Sequence, residues 1–253
     1  MNKKIVIKIG SDVLTSRNGL NENRIKDLAN QITEIQKTGY EIVIVSSGAV
    51  SSGIRKLGLE NRSWTLAEKR FLSAIGQNYL MSAWTRAFSS SCLAQVLLTW
   101  RELDDEESAL KCKETIYNLL SLKTIPIINE NDAIADEELS FGDNDQLAFK
   151  LAKLIHAQRL IILTDVDGLF TENPKKNESA KKMKKVRKVN EEILAMIDDS
   201  GSSFGTGGML SKVLVAKKAL ESNITVNIIN GKKDKALERL LKNGENLGTE
   251  FSK

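Results

Sequence analysis

Short runs of aliphatic and β-branched residues, each followed by a segment of helical period, constrain this chain more than any other feature. Residues 4–9, 41–45, 94–98, 124–128, 160–163 and 224–229 read as strands. Residues 23–37, 66–87, 106–122, 144–156, 210–222 and 235–242 read as helices, the first with Ile25, Leu28, Ile32 and Ile35 along one face. Strands that are apolar at nearly every position are covered on both faces, as in a parallel sheet flanked by helices. The alternation therefore predicts an α/β three-layer sandwich with a mostly parallel central sheet. Residues 134–140 and 166–173 are expected to form hairpins decorating it. With no internal repeat and no low-complexity linker, residues 1–253 are expected to form a single domain.

In such sheets ligands bind beyond the carboxyl ends of the strands. Unusual residues recur at those ends: Gly10-Ser11, Ser46-Ser47-Gly48, Asn129-Glu130-Asn131-Asp132 and Thr164-Asp165. Gly142-Asp143-Asn144-Asp145 heads the helix at 144–156. Short carboxylates and carboxamides at this density suit a small zwitterion, whose ammonium needs acceptors and whose carboxylate needs donors. They also suit turns and helix caps, where Asn, Asp and Gly predominate.

Lys8 interrupts the apolar run Ile5–Ile9. A lysine in a doubly covered strand must be paired, reach the strand end, or meet an anionic ligand. Gly205-Thr206-Gly207-Gly208-Met209 runs into a helix bearing Lys212 in its first turn, where the helix dipole disfavours a cation. An anion held between loop and lysine would resolve that conflict. The loop is neither GxxxxGK nor GxGxxG. Ser46-Ser47-Gly48-Ala49 lacks the glycine of a nucleophile elbow, and His156, the only histidine, reads as structural, which argues against a serine hydrolase. Zinc lacks ligands, and no resident metal site is predicted. Two lysines, an anion loop and Asp-bearing strand ends are instead the parts of phosphoryl transfer, a reaction that needs positioning and positive charge more than covalent chemistry.

The net charge of +4 is uneven. Residues 174–188 carry eight Lys and Arg against Glu178, a local +7 that leaves −3 for the remainder. No aromatic residues interleave these lysines for base stacking, so attraction of an anionic nucleotide is expected rather than nucleic-acid binding. Two scattered cysteines, no signal peptide and no apolar run of membrane-spanning length predict a cytoplasmic protein without membrane association.

Together, Lys8-Ile9-Gly10-Ser11, Val45-Ser46-Ser47-Gly48-Ala49-Val50, Ile128-Asn129-Glu130-Asn131-Asp132-Ala133, Phe141-Gly142-Asp143-Asn144-Asp145, Leu163-Thr164-Asp165-Val166-Asp167-Gly168-Leu169 and Gly205–Met209 resemble the amino acid kinase family, and within it the glutamate 5-kinases. The resemblance implies the amino acid kinase fold and ATP-dependent phosphorylation of the γ-carboxylate of L-glutamate, the first step of proline biosynthesis, with ATP and Mg²⁺. It implies a catalytic set of Lys8, Lys212 and Asp145, with Asp145 orienting the lysines. It places Ser47, Asp132 and Asn144 on glutamate. It places Lys8, Gly10, Thr164, Asp165, Thr206, Gly207, Gly208, Met209, Leu210, Ser211 and Lys212 on ATP. Proline as a feedback inhibitor and a homo-oligomer, dimer or tetramer, are implied as well. Asp12 stands where the family has a small hydroxyl residue, and Ser211 where Thr is more usual. Longer relatives continue into a PUA domain, so the chain resembles a kinase-only form. The competing readings are a same-fold kinase acting on aspartate, N-acetylglutamate, carbamate or a nucleoside monophosphate, and a non-catalytic nucleotide- or RNA-binding protein.

Overall fold

A computed structural model describes residues 3–16, 19–59, 63–135, 144–174, 177–198 and 208–253. In chain order the elements begin with β1 (Lys3–Ile9), α1 (Ser11–Leu14), the small hairpin β2 (Thr15–Ser16) and β3 (Gly19–Leu20), α2 (Glu22–Gln36), β4 (Tyr40–Val45), α3 (Ala49–Lys56) and α4 (Leu66–Ala87). Next come β5 (Leu93–Leu98), α5 (Trp100–Asp104), α6 (Glu106–Ser121), β6 (Ile125–Glu130), α7 (Asn144–Leu154) and β7 (Arg159–Thr164). The chain closes with β8 (Lys185–Val186), α8 (Glu191–Asp198), α9 (Met209–Glu221), β9 (Thr225–Asn230), α10 (Ala236–Leu241) and β10 (Thr249–Phe251).

Among the described residues the central sheet has eight strands in the order β5-β6-β4-β1-β7-β9-β10-β8. All neighbours pair in parallel except β9 and β10. The period-2 alternation of each strand divides its apolar residues between two cores. Ile5, Ile7 and Ile9 join Ile42, Ile44, Ile161 and Leu163 in a core closed by α2, α4 and α10, with Trp84 and Leu237. Val6 joins Val43, Val45, Leu160, Ile162 and Val226 in the other, closed by α6, α7 and α9 through Ile116, Leu151 and Val213. The three-layer α/β sandwich follows directly from strands that are apolar on both faces.

Lys8 shares the Val6 face by this alternation, so it points toward the helix layer that holds α7 and α9. It lies between Val45 of β4 and Ile162 of β7 in the sheet register. The strand order reverses about β1, with β4 and β6 to one side and β7 and β9 to the other. That is where a doubly wound sheet opens a crevice at its carboxyl edge.

The helix starts are chemically marked. Asn21 caps α2 through Arg24 N–H at 3.1 Å, and Thr65 with Glu68 forms a capping box on α4. Two expectations need correction. Residues 166–173 do not form a hairpin: Phe170 makes an isolated antiparallel bridge to Lys182 in the basic stretch, with Thr171 N–H to Lys181 O at 2.9 Å. Leu169 is buried, and bends at Val166 and Gly168 interrupt the residues that a hairpin would have needed for its first arm. β6 also extends to Glu130, so Asn129 and Glu130 are strand residues and the turn begins only at Asn131. In the other expected hairpin, Ile134 belongs to that turn, while residues 136–143 lie outside the described residues.

Candidate active site

The carboxyl ends of β1, β4, β6 and β7 open onto a cleft of about 780 Å³. Three buried ionic groups stand beside it. Asp145, in the first turn of α7 and fully buried, accepts from Lys8 Nζ at 2.9 Å and from Lys212 Nζ at 3.1 Å, one lysine on each carboxylate oxygen. Both lysines are 6 % exposed and both line the cleft; Asp145 lies behind them. Burial works to raise the Asp145 pKa, but the two ammoniums and their hydrogen bonds outweigh it and hold the carboxyl below the usual range. The carboxylate also gains from the positive end of α7. Asp145 is thus the anion that resolves the placement of Lys212 early in α9. The three charges sum to one positive charge turned toward the cleft.

Ser47, Asn129, Asp132, Asn144 and Lys69 give the cleft polar lining. Asn144 Nδ2 donates to Ser46 O (3.0 Å), Ser47 Oγ (3.1 Å) and Asn129 Oδ1 (3.0 Å). This binds the start of α7 to the ends of β4 and β6. Gly48 turns the chain from β4 into α3 with φ of 104°, a conformation L side chains rarely adopt, and leaves Ser47 at the rim. The Ser46 hydroxyl, behind Ser47, accepts from the indole N–H of Trp84 at 3.1 Å. Asp132 is 8 % exposed, and burial together with neighbouring Glu130 pushes its carboxyl up to about 7.

The same cleft is apolar in part. Gly10, Thr164, Asp165, Asp167, Phe170, Asn173, Met196, Ile197, Gly208, Met209 and Asn230 line it. Gly10 N–H donates to Leu163 O at 3.0 Å, which seats the β1–α1 turn against β7. Asp167 accepts from Asn230 Nδ2 (2.9 Å) and pairs with Lys233 (2.8 Å). Burial would raise its pKa, and those two partners lower it on balance. Asp12 is exposed and is among the residues lining the cleft.

The structure therefore brings Lys8, Gly10, Ser47, Asp132, Asn144, Thr164, Asp165, Gly208, Met209 and Lys212 around one cleft, with Asp145 behind. Leu210 is exposed, and neither it nor Ser211 lines the cleft. Thr206 and Gly207 lie outside the described residues, as do Phe141–Asp143. Asn129 was legible only as a member of the acid-and-amide cluster. Lys69, Met196 and Ile197 carried no signal, because helical residues meet a cleft only through tertiary packing.

A family model described as the amino acid kinase family matches residues 3–230. The chain belongs to the amino acid kinase family. It is 44 % identical over 252 residues to a glutamate 5-kinase of Citrifermentans bemidjiense, covering 98 % of this chain and 67 % of that protein. It is 41 % identical over 251 residues to a glutamate 5-kinase of Clostridium acetobutylicum, covering 98 % and 94 %. A solved carbamate kinase from Giardia lamblia bound to AMP-PNP superposes with a TM-score of 0.70 at 19 % identity, covering 100 % of this chain and 99 % of that one. At that identity the likeness carries the amino acid kinase fold alone.

Nucleotide and metal can be tested against the residues present. Two ammoniums beside a cleft of mixed polar and apolar lining fit a nucleotide with its phosphates near the lysines. Among the described residues no cluster of three His, Cys, Asp or Glu could hold a metal ion. Mg²⁺ bound largely by phosphates and water is compatible with such a site.

Proposed function

We propose that this chain transfers the γ-phosphoryl group of ATP to the side-chain carboxylate of L-glutamate, giving γ-glutamyl phosphate and ADP. The observation that carries a phosphotransfer reading is the Lys8–Asp145–Lys212 arrangement, whose two lysines line one cleft. Relatives named glutamate 5-kinase, at 41–44 % identity over nearly the whole chain, supply the substrate.

The chemistry follows from charge. A γ-carboxylate is already ionised at pH 7 and needs no base. Asp145, held by two lysines, is unsuited to take a proton and serves to aim them. One carboxylate oxygen forms a bond to Pγ while the bond from Pγ to the bridging oxygen breaks, and ADP carries that electron pair away. Nucleophile and phosphates are both anionic. Lys8 and Lys212 offset that repulsion and the charge on the equatorial oxygens, already positioned before the reaction begins. Ser47, Asp132 and Asn144 hold glutamate, with Asp132 facing the ammonium. Gly10, Thr164, Asp165 and the start of α9 hold ATP. Mg²⁺ would supply further positive charge on the phosphates.

A cytoplasmic location, homo-oligomer formation and proline as regulator belong to the same reading. Among the described residues no helix is long and apolar enough to cross a membrane. Trapping the acyl phosphate with hydroxylamine tests the proposal. ATP- and Mg²⁺-dependent γ-glutamyl hydroxamate is expected from glutamate, with little product from aspartate. Equal or greater product from aspartate overturns the substrate assignment.

A further inference from the structure

Among the described residues that line the cleft, three side chains are cationic: Lys8, Lys212 and Lys69. The first two are bound to Asp145 and serve the moving phosphoryl group. Lys69 comes from a different wall, near the start of α4, where it is half-buried. Two hydrogen bonds fix how α4 lies. Arg70, the next residue, donates from its guanidinium to Ala135 O at 2.7 Å. Gln77 follows Lys69 by two steps of four and so shares its helical face, with buried Ser73 between them. Gln77 Oε1 accepts from Asn129 Nδ2 at 2.9 Å. α4 therefore runs along residues 129–135, meeting Asn129 through Gln77 and Ala135 through Arg70. Asp132 is the middle residue of that segment, and both it and Lys69 line the cleft.

An α-amino acid sets its own requirement. Its ammonium and its α-carboxylate share one carbon, so an acceptor for the first and a donor for the second must stand side by side. Asp132 supplies the acceptor. A γ-carboxylate aimed at Pγ draws on Lys8 and Lys212, whose two charges Asp145 already reduces to one and the phosphates share. The α-carboxylate carries a full negative charge that this pair does not answer. Lys69 is the remaining cation of the described lining, on the helix packed along the segment that bears Asp132. We infer that Lys69 is a specificity-determining residue that binds the α-carboxylate of the amino-acid substrate, while Asp132 binds the ammonium on the same carbon. This rests on the glutamate-phosphorylating reading and adds to it the group that distinguishes an α-amino acid from an amine or amide of the same length. A charge-assisted hydrogen bond from an ammonium is the strong kind, and it gives the two carboxylates of glutamate separate cations.

The test compares wild type with Lys69→Met, Lys69→Gln and Lys69→Arg in the hydroxamate assay, with isoglutamine as competitor. Isoglutamine keeps the shape, ammonium and γ-carboxylate of glutamate but has an uncharged amide in place of the α-carboxylate. Lys69→Met is expected to raise the glutamate KM on the order of tenfold or more, the effect of losing a charge-assisted hydrogen bond. The ATP KM and kcat should stay within about threefold, and so should the isoglutamine Ki, since the charge that Lys69 answers is absent from it. Lys69→Gln should show the same split, and Lys69→Arg, which keeps the cation, should restore most of the glutamate affinity. A glutamate KM within about twofold of wild type in the Met and Gln variants overturns the inference. So does an isoglutamine Ki that rises as steeply as the glutamate KM, as a merely structural lysine would give. A rise confined to the ATP KM also overturns it and puts Lys69 on the nucleotide. Wild type that forms no glutamyl hydroxamate would instead overturn the glutamate reading itself.

Discussion

Asp132 offers the sharpest quantitative test, because its environment sets a pH at which the substrate site changes charge. Burial and the adjacent Glu130 push its carboxyl up to about 7, so near neutrality the ligand-free protein holds it half protonated. Only the ionised form offers a full negative charge to an ammonium. If glutamate binds that form alone, its KM scales as one plus the ratio of protonated to ionised Asp132. The factor is about 1.1 at pH 8 and about 11 at pH 6, a rise of about tenfold. Neither the ammonium nor the γ-carboxylate of glutamate titrates in that window. The assay is the glutamate KM from hydroxamate formation at saturating Mg-ATP, across pH 6–8, for wild type and Asp132→Asn. The variant should have a raised KM at pH 8 and a flat profile below it, which cancels any titration of ATP. A wild-type KM that moves less than about twofold, or a variant with the same slope, would refute the assignment of Asp132 to the ammonium.

The same shift has a stability consequence of definite sign. A raised pKa means that the folded state favours the protonated acid. The contribution of Asp132 is therefore full below the unfolded carboxylate value and is lost as pH rises through about 7. Roughly three pH units at about 1.4 kcal/mol each bound the loss at about 4 kcal/mol. Asp132→Asn should accordingly gain stability over wild type at pH 8 and gain little at pH 4, read by denaturant unfolding without substrate.

Three other substitutions follow from the geometry. Lys212→Ala should lower kcat on the order of 10²-fold or more with glutamate KM little changed, and near-normal turnover would remove Lys212 from the mechanism. Asp145→Asn leaves two buried ammoniums facing each other without their anion, so it should cost about 3–5 kcal/mol in urea unfolding as well as kcat. A variant as stable as wild type would contradict the pairing. Gly76→Ala would place a Cβ 1.8 Å from Ala49 O and 2.4 Å from Gly53 N, forcing α3 and α4 apart. A loss of about 1–3 kcal/mol is expected, and a gain, as helix propensity alone would give, would show that the two helices are not in this contact.

The architecture was legible because it is written in periods of two and 3.6, which survive without tertiary information. α4 was bounded correctly at both ends, and α2, α6, α7 and α9 within a residue or two, since apolar faces and caps mark them locally. What escaped was structure created by contact. Ala49-Val50-Ser51-Ser52-Gly53 is a weak helix former, and α3 exists because Gly53 and Gly76 let its backbone touch α4. α8 carries Ile193 and Ile197 at helical spacing, but eight residues after a lysine-rich stretch give a signal too short to separate from a loop. β8 and β10 are two and three residues long, β8 held by pairing with β10 and β10 by pairing with β9 rather than announced by their own sequence.

The site divides in the same way. Lys8 and Lys212 were visible as charges in the wrong place, one inside an apolar strand and the other where a helix dipole repels it. That a single carboxylate answers both could not be read from position, because α7 and α9 meet over β1 only once the sheet has formed. A buried ionic cluster is weak evidence of stabilisation, since well-packed apolar residues of similar volume are often as stable or more so. Asp145 does not line the cleft, and its effect is to hold two flexible side chains so that one net positive charge stands beside it. The desolvation of those three groups is met during folding, before any substrate arrives. Charge that develops on a moving phosphoryl group then meets dipoles and ammoniums that need not reorganise, which is the condition under which electrostatics lowers a barrier most.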